Sequence, residues 1–210
     1  MKRLLAILLL GAVCTFAACN NVGDCGPFKS KVRTTGFIDG AFQVEPDTEF
    51  GFDTELAEIE DDTLAAGELV LQLRLRGELY AEHTPHHHRP AFQLIPAAYA
   101  CSPPIPQYEA MIRDIRIYSN TALGEDYPAG ENLVALFDIV GRPALGMPYE
   151  RQALADFLEQ MKPPVDELLF VLNEVPAEPT EMQFTVEYEQ EGEGEEEYTF
   201  TTDPILLGAE

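Results

Sequence analysis

Between Glu68 and Glu82 the chain alternates with a period of two. Leu69, Leu71, Leu73 and Leu75 fall on one side, and Gln72, Arg74 and Arg76 on the other. Side chains of an extended strand point to opposite faces in turn. The pattern therefore predicts a strand with one face in a core, as in an antiparallel sheet. The same period returns near the C-terminus. Met182, Phe184, Val186 and Tyr188 alternate with Gln183, Thr185 and Glu187, and Tyr198, Phe200 and Thr202 alternate with Thr199 and Thr201. Between the two runs lies E-Q-E-G-E-G-E-E-E, so the pair reads as a hairpin with a glycine-punctuated acidic turn. Asp203 and Pro204 end the pairing or bend it towards a last short run, Ile205 to Leu207.

Further strands follow from the same reasoning. Lys31 to Val44 reads as a strand pair or one bent strand, with Ile38, Phe42 and Val44 on one parity and Gly36 and Gly40 allowing a bulge. Ala91 to Ile95 is a strand stopped by Pro96. Ile112 to Ser119 is another, with Ile115 and Ile117 inward and Asp114 and Arg116 outward. The continuous run L-L-F-V-L, ending at Leu172, suits a central strand. Pro103, Pro104 and Pro106 forbid helix and fit an extended connection. Asp126 to Gly130, D-Y-P-A-G, is a turn. Helical spacing is confined to Tyr149–Met161, where Leu154, Phe157, Leu158 and Met161 make one apolar stripe, Pro148 suits the first turn and Pro163 with Pro164 ends it.

Roughly six to eight strands against one helix predict a mainly β chain. The expected form is an antiparallel β-sandwich, with an immunoglobulin-like arrangement among those open to it and the helix at 149–161 over one end or edge. The chain has no Trp, whereas antibody-type domains pack one against their disulfide, so the kind of sandwich stays open.

The N-terminus carries a different signal. Lys2 and Arg3 precede the apolar run Leu4 to Leu10, and Ala17 and Ala18 stand directly before Cys19. That is the layout of a secretion signal, too short and wrongly flanked for a membrane-spanning helix. Small residues before Cys resemble the lipobox of bacterial lipoproteins, which implies cleavage after residue 18 and acylation of Cys19. The division expected is a signal peptide at 1–18, a tether at 19–27 and a single β-rich domain at 28–210. The resemblance implies attachment to the cell envelope through the lipid. Asn20 after Cys19, in place of the Asp that retains enteric lipoproteins at the inner membrane, favours the outer membrane.

Of the four cysteines, Cys14 leaves with the leader and Cys19 would carry lipid. Cys25 and Cys101 are left. In an oxidising exported compartment they are expected to form a disulfide closing a long loop, with two buried, inert thiols as the competing view. The formal charge of −24 repels nucleic acid and anionic headgroups, so neither is an expected partner, and it keeps a tethered monomer apart from its neighbours.

Three segments together, Y-A-C-S-P at Tyr99 to Pro103, the I-x-I strand at Ile115 to Ile117 and Y-P-A-G at Tyr127 to Gly130, are similar to a set of uncharacterised Bacteroidetes lipoproteins. The resemblance implies a lipoprotein origin and a β-rich fold. It brings no active residues.

Candidate chemistry is sparse. His83, His86, His87 and His88 form H-T-P-H-H-H, and neutral imidazoles on a loop could take zinc, nickel or copper. Structural zinc sites use closed tetrahedral sets, and three consecutive histidines between Pro85 and Pro90 also read as an exposed loop. Glu45 to Asp62 and Glu189 to Glu197 could offer oxygen ligands to calcium, but the D-x-[DN]-x-[DN]-G loop is absent and solvated charge runs account for both. Ser30, Ser102 and Ser119 lack a G-x-S-x-G setting, and there is no phosphate-cradling or dinucleotide loop. No cofactor and no enzymatic activity are expected. The reading is an envelope lipoprotein acting as a binding or structural module towards another envelope protein, with metal binding by the histidine loop as the alternative.

Overall fold

The structure, a computed structural model, describes residues 31–45, 48–51, 54–60, 63–80, 107–143, 150–160 and 162–208. The leader and tether, Cys19, Cys25, Cys101, the histidine loop with His83 and His86 to His88, and the strand expected at Ala91 to Ile95 lie outside the described residues.

Two antiparallel layers form the molecule. The first sheet contains β1 (Lys31–Gln43), β2 (Leu69–Tyr80), β3 (Gln107–Tyr108), β5 (Phe137–Arg142), β6 (Gln152–Ala153) and β7 (Glu167–Leu172), in the order β3-β1-β2-β7-β5-β6. The second contains β4 (Met111–Ser119), β9 (Phe184–Glu191) and β10 (Glu197–Thr201), in the order β10-β9-β4. A two-stranded ribbon of β8 (Thr180–Met182) and β11 (Ile205–Leu207) continues the C-terminal hairpin past the Asp203–Pro204 bend. β1 pairs with β3 in parallel, through Lys31↔Gln107 and Val32↔Tyr108.

The alternating leucines do what their period demands. Leu71 and Leu73 of β2, with Phe170 of β7 and Ile139 of β5, meet Ile115, Ile117, Phe184 and Val186 of the second sheet in one core. All are at most 1% exposed. Phe137 and Phe184 meet edge to face across the layers, centroids 6.0 Å apart.

β7 is the central strand that its continuous apolar run predicts, between β2 and β5, with all six residues buried. Its second face is covered too. Leu169 and Val171 pack with Val44, Val70 and Val140, and Phe50 and Leu56 from the acidic tract lie over them. The described part of that tract is thus a cover for the outer face of the sheet, held by Phe50 and Leu56, with Glu45, Glu49, Glu55, Glu58 and Glu60 exposed.

β1 is one bent strand with a bulge between Thr34 and Gly36. Two residues opposing one on β2 reverse the parity. Val32 and Thr34 are buried before the bulge, and Phe37 and Ala41 pack on the core after it. Ile38, Phe42 and Val44 do share a face, but it is the outer one, and Ile38 is 37% exposed. β5 has no counterpart among the strands expected from the sequence. It is buried on both faces at Phe137, Ile139 and Val140, so no alternation marks it.

The helix is shorter than the stripe suggests. Gln152 and Ala153 pair with Ile139 and Asp138 as β6, and among the described residues of this stretch α-helical geometry is limited to α1 (Leu154–Leu158). The edge of β5 takes up Gln152 and Ala153, just ahead of the apolar stripe, and no side chain caps the helix at Ala153. Leu154 and Phe157 are buried as the spacing requires. Among the described residues no helix is long and apolar enough to cross a membrane.

Candidate functional site

The sandwich has an open side where β1 and β10 face each other across the two layers. At one end of that side the layers are tied. Thr34 and Gly194 form a β-bridge, and the Glu195 N–H donates to the Thr34 carbonyl at 3.0 Å. Gln190 is 3% exposed and holds the tie from inside. Its Oε1 accepts from Tyr188 Oη at 2.9 Å and from Thr34 Oγ1 at 3.3 Å, and its Nε2 donates to the Glu195 carbonyl at 2.6 Å. Burial pushes the Tyr188 hydroxyl well above its ordinary pKa, which keeps it a neutral donor. The glycine-punctuated acidic turn is thus fastened to β1 by its backbone, while the carboxylates of Glu191, Glu193 and Glu195 to Glu197 stay exposed.

At the other end, Gln43 and Ala57 exchange hydrogen bonds of 2.9 and 3.0 Å, and Leu64 bonds to Leu206 at 3.0 Å. Between the two ties, the edge of β1 is open. Gln43 turns its N–H and C=O away from β2 towards Ala57. In an antiparallel ladder that direction alternates residue by residue, so Ala41, Asp39 and Phe37 also turn theirs outward. On β10, Thr202 N–H bonds inward to Phe184 and Glu196 C=O accepts inward from Gln190. Thr201, Thr199 and Glu197 therefore face out. Among the described residues, none of these outward backbone groups has a hydrogen-bond partner.

Aromatic rings fill the seam behind the edges. Phe37 stacks on Tyr198 with centroids 4.5 Å apart and meets Tyr188 edge-on at 5.5 Å. Tyr198 Oη donates to Asp39 Oδ1 at 2.5 Å. That bond, then burial and the Asp39 charge, pushes the phenol up to about 12. Beside this plug runs a groove of about 590 Å³. Ala41, Phe200 and Ile205 supply apolar surface, Asp39, Glu60, Glu181 and Asp203 line it with carboxylates, and among the described residues no Lys or Arg lines it.

A larger hollow, about 840 Å³, lies beneath the outer cover beside Glu45, Glu49, Glu55 and Glu68. Local hydrogen bonds brace the chain around it. Gly51 N–H donates to Thr54 Oγ1 at 2.8 Å, and Ala65 N–H to Glu68 Oε2 at 2.7 Å. On the same face, Glu167 is held by Arg142 at 3.1 Å, Arg74 at 3.0 Å and Gln72 at 2.5 Å. That carboxylate is 9% exposed and fully engaged, which is structural pairing. The seam differs from both because it presents backbone donors and acceptors that pair with nothing described.

Of the residues singled out in the sequence, Cys19, Cys25, Cys101, His83, His86, His87 and His88 lie outside the described residues. Among the described residues no three of His, Cys, Asp and Glu stand close enough to hold a metal ion. The seam had one trace in the sequence: Asp39–Gly40, a charge and a glycine inside an otherwise apolar run, as edge strands carry.

No protein-family model and no curated protein matches the chain. Among solved structures it is similar to the C-terminal domain of the Streptococcus agalactiae AgI/II polypeptide BspA, with 13% identity over 83% of this chain and 50% of that one, at a TM-score of 0.26. A second structure, titled BspA_C_WT, gives 13% identity over 82% of this chain and 50% of that one, at a TM-score of 0.25. The chain spans about half the length of the solved chains it matches. Likeness at that level carries no argument about function.

Proposed function

We propose that this chain is a lipid-anchored envelope protein whose β-sandwich is a binding module, holding another envelope protein by adding an extended segment of it to the open edge of β1. The observation that carries this reading is the row of outward backbone groups at Phe37, Asp39 and Ala41, without partners among the described residues. Strand addition obtains its affinity from such main-chain groups and its specificity from neighbouring side chains. The leader and Cys19 support anchoring at the outer membrane, and the acidic surface supports a monomer. The reading assigns no catalysis and no cofactor. Metal binding by His83 and His86 to His88 has only the sequence behind it.

The test is a crosslinking pull-down of the lipidated protein from its native membranes. Ala41→Pro removes one outward N–H, and Gly40 before it tolerates the change in backbone angle. A stoichiometric partner should be recovered with the unaltered chain and lost with Ala41→Pro, provided circular dichroism shows the sheet intact. Cys19→Ala should release the protein from the membrane fraction. Recovery of the same partner by folded Ala41→Pro would remove the edge from the mechanism.

A further inference from the structure

The chemistry of the segment that fits the seam can be read from its walls; this step rests on the edge reading above. We infer that the occupant is a basic extended polypeptide in which Lys or Arg alternates with apolar residues. The ties at Thr34 and Gln43 bound the open edge to Gly36–Phe42, room for a strand of about six or seven residues at ~3.3 Å each. A strand laid against β1 sends alternate side chains to opposite faces. Those on the core side enter the groove beside Asp39, whose carboxylate accepts from Tyr198 there, and meet a lining that also holds Glu60, Glu181 and Asp203. The remaining side chains lie on the outer face beside Ile38, one of the few large apolar side chains exposed among the described residues.

Charge narrows the occupant further. Among the described residues four carboxylates and no cation line the groove, and the net charge of −24 steers cationic chains towards it. A second copy of this chain fits badly. Two β1 edges paired antiparallel about Asp39 would set carboxylate against carboxylate, and like charges directly opposite destabilise a sheet. Acids on an edge also serve simply to prevent pairing, and the experiment separates that role from recognition.

Three labelled nine-residue peptides, alternating Lys-Val, Ser-Val and Glu-Val, are titrated with the full lipidated chain in neutral detergent, with fluorescence anisotropy as the readout. The lysine peptide should bind at least ten-fold tighter than the serine peptide, and the glutamate peptide should not bind. The margin should narrow at 0.5 M salt, where charges are screened within a few ångströms. The exposed pair Glu60→Gln with Asp203→Asn should cut the lysine margin several-fold and leave the serine peptide unchanged. N-methylation of alternate amides in the lysine peptide should abolish binding without any change to the protein.

Equal binding of lysine and serine peptides overturns the basic-occupant inference and leaves the edge reading standing. An unchanged margin in the carboxamide pair also overturns it, because the groove acids would then not be the recognising groups. Binding that survives N-methylation in both registers overturns the edge reading itself. Binding of none of the three overturns both and leaves the acids as protection of the edge.

Discussion

Gly194 shows how one residue joins the two layers. Its φ is +117°, and a Cβ there would stand 2.3 Å from the Thr34 carbonyl oxygen. Both the backbone angle and the close approach exclude a side chain. Gly194→Ala should therefore cost about 1–3 kcal/mol in urea unfolding. Gly51→Ala, with nothing within 4 Å of its Cβ, is the control and should sit within about 0.5 kcal/mol of the parent. Equal midpoints for the two variants would mean that the acidic loop is not seated on β1. The glycines of E-G-E-G-E were legible as turn residues. Their docking was not, because it depends on Thr34 and Gln190, which the fold brings together from 156 residues apart.

Among the elements, β7 makes the most demanding claim, since it is buried on both faces in a small antiparallel protein. Phe170 faces the main core, and Leu169 faces the cover formed by Phe50 and Leu56. Leu169→Ala should cost about 2–5 kcal/mol and Phe170→Ala about 3–5 kcal/mol, measured by chemical denaturation. A loss below about 1 kcal/mol at Leu169 would show that the acidic tract does not cover this face in solution. The continuous run L-L-F-V-L announced this strand, while β5 escaped notice. Its large apolar residues are interrupted by Asp138 and followed by Gly141, and it has neither the alternation of a half-exposed strand nor a long apolar run. α1 was marked by its stripe, but its start was decided by β6 pairing on the edge of β5.

For the whole molecule, a covalent link between distant parts of the chain acts on the unfolded state. A bond between Cys25 and Cys101 would close a long loop around β1 and β2 and restrict the unfolded chain, by on the order of 4 kcal/mol in the loop-entropy account. Cys101→Ser should accordingly lower the melting temperature in oxidising buffer and leave it unchanged in reductant. An equal loss in both buffers would identify two packed thiols instead.

The sequence by itself determined the class of fold: period-two runs such as Leu69–Leu75 and Phe184–Tyr188 state which side chains need burial, and that demand is local to each strand. It also marked β7 as central and carried the case for anchoring at Cys19. Three features were decided only by tertiary structure. The bulge after Thr34 chose which parity of β1 meets the core, the Thr34–Gly194 bridge seated the acidic loop, and the pairing order left the β1 and β10 edges facing each other. The physical reason is common to all three. Burial is written into a strand's own side chains, whereas an edge is defined by the hydrogen-bond partners that its backbone finds, or does not find, in distant parts of the chain.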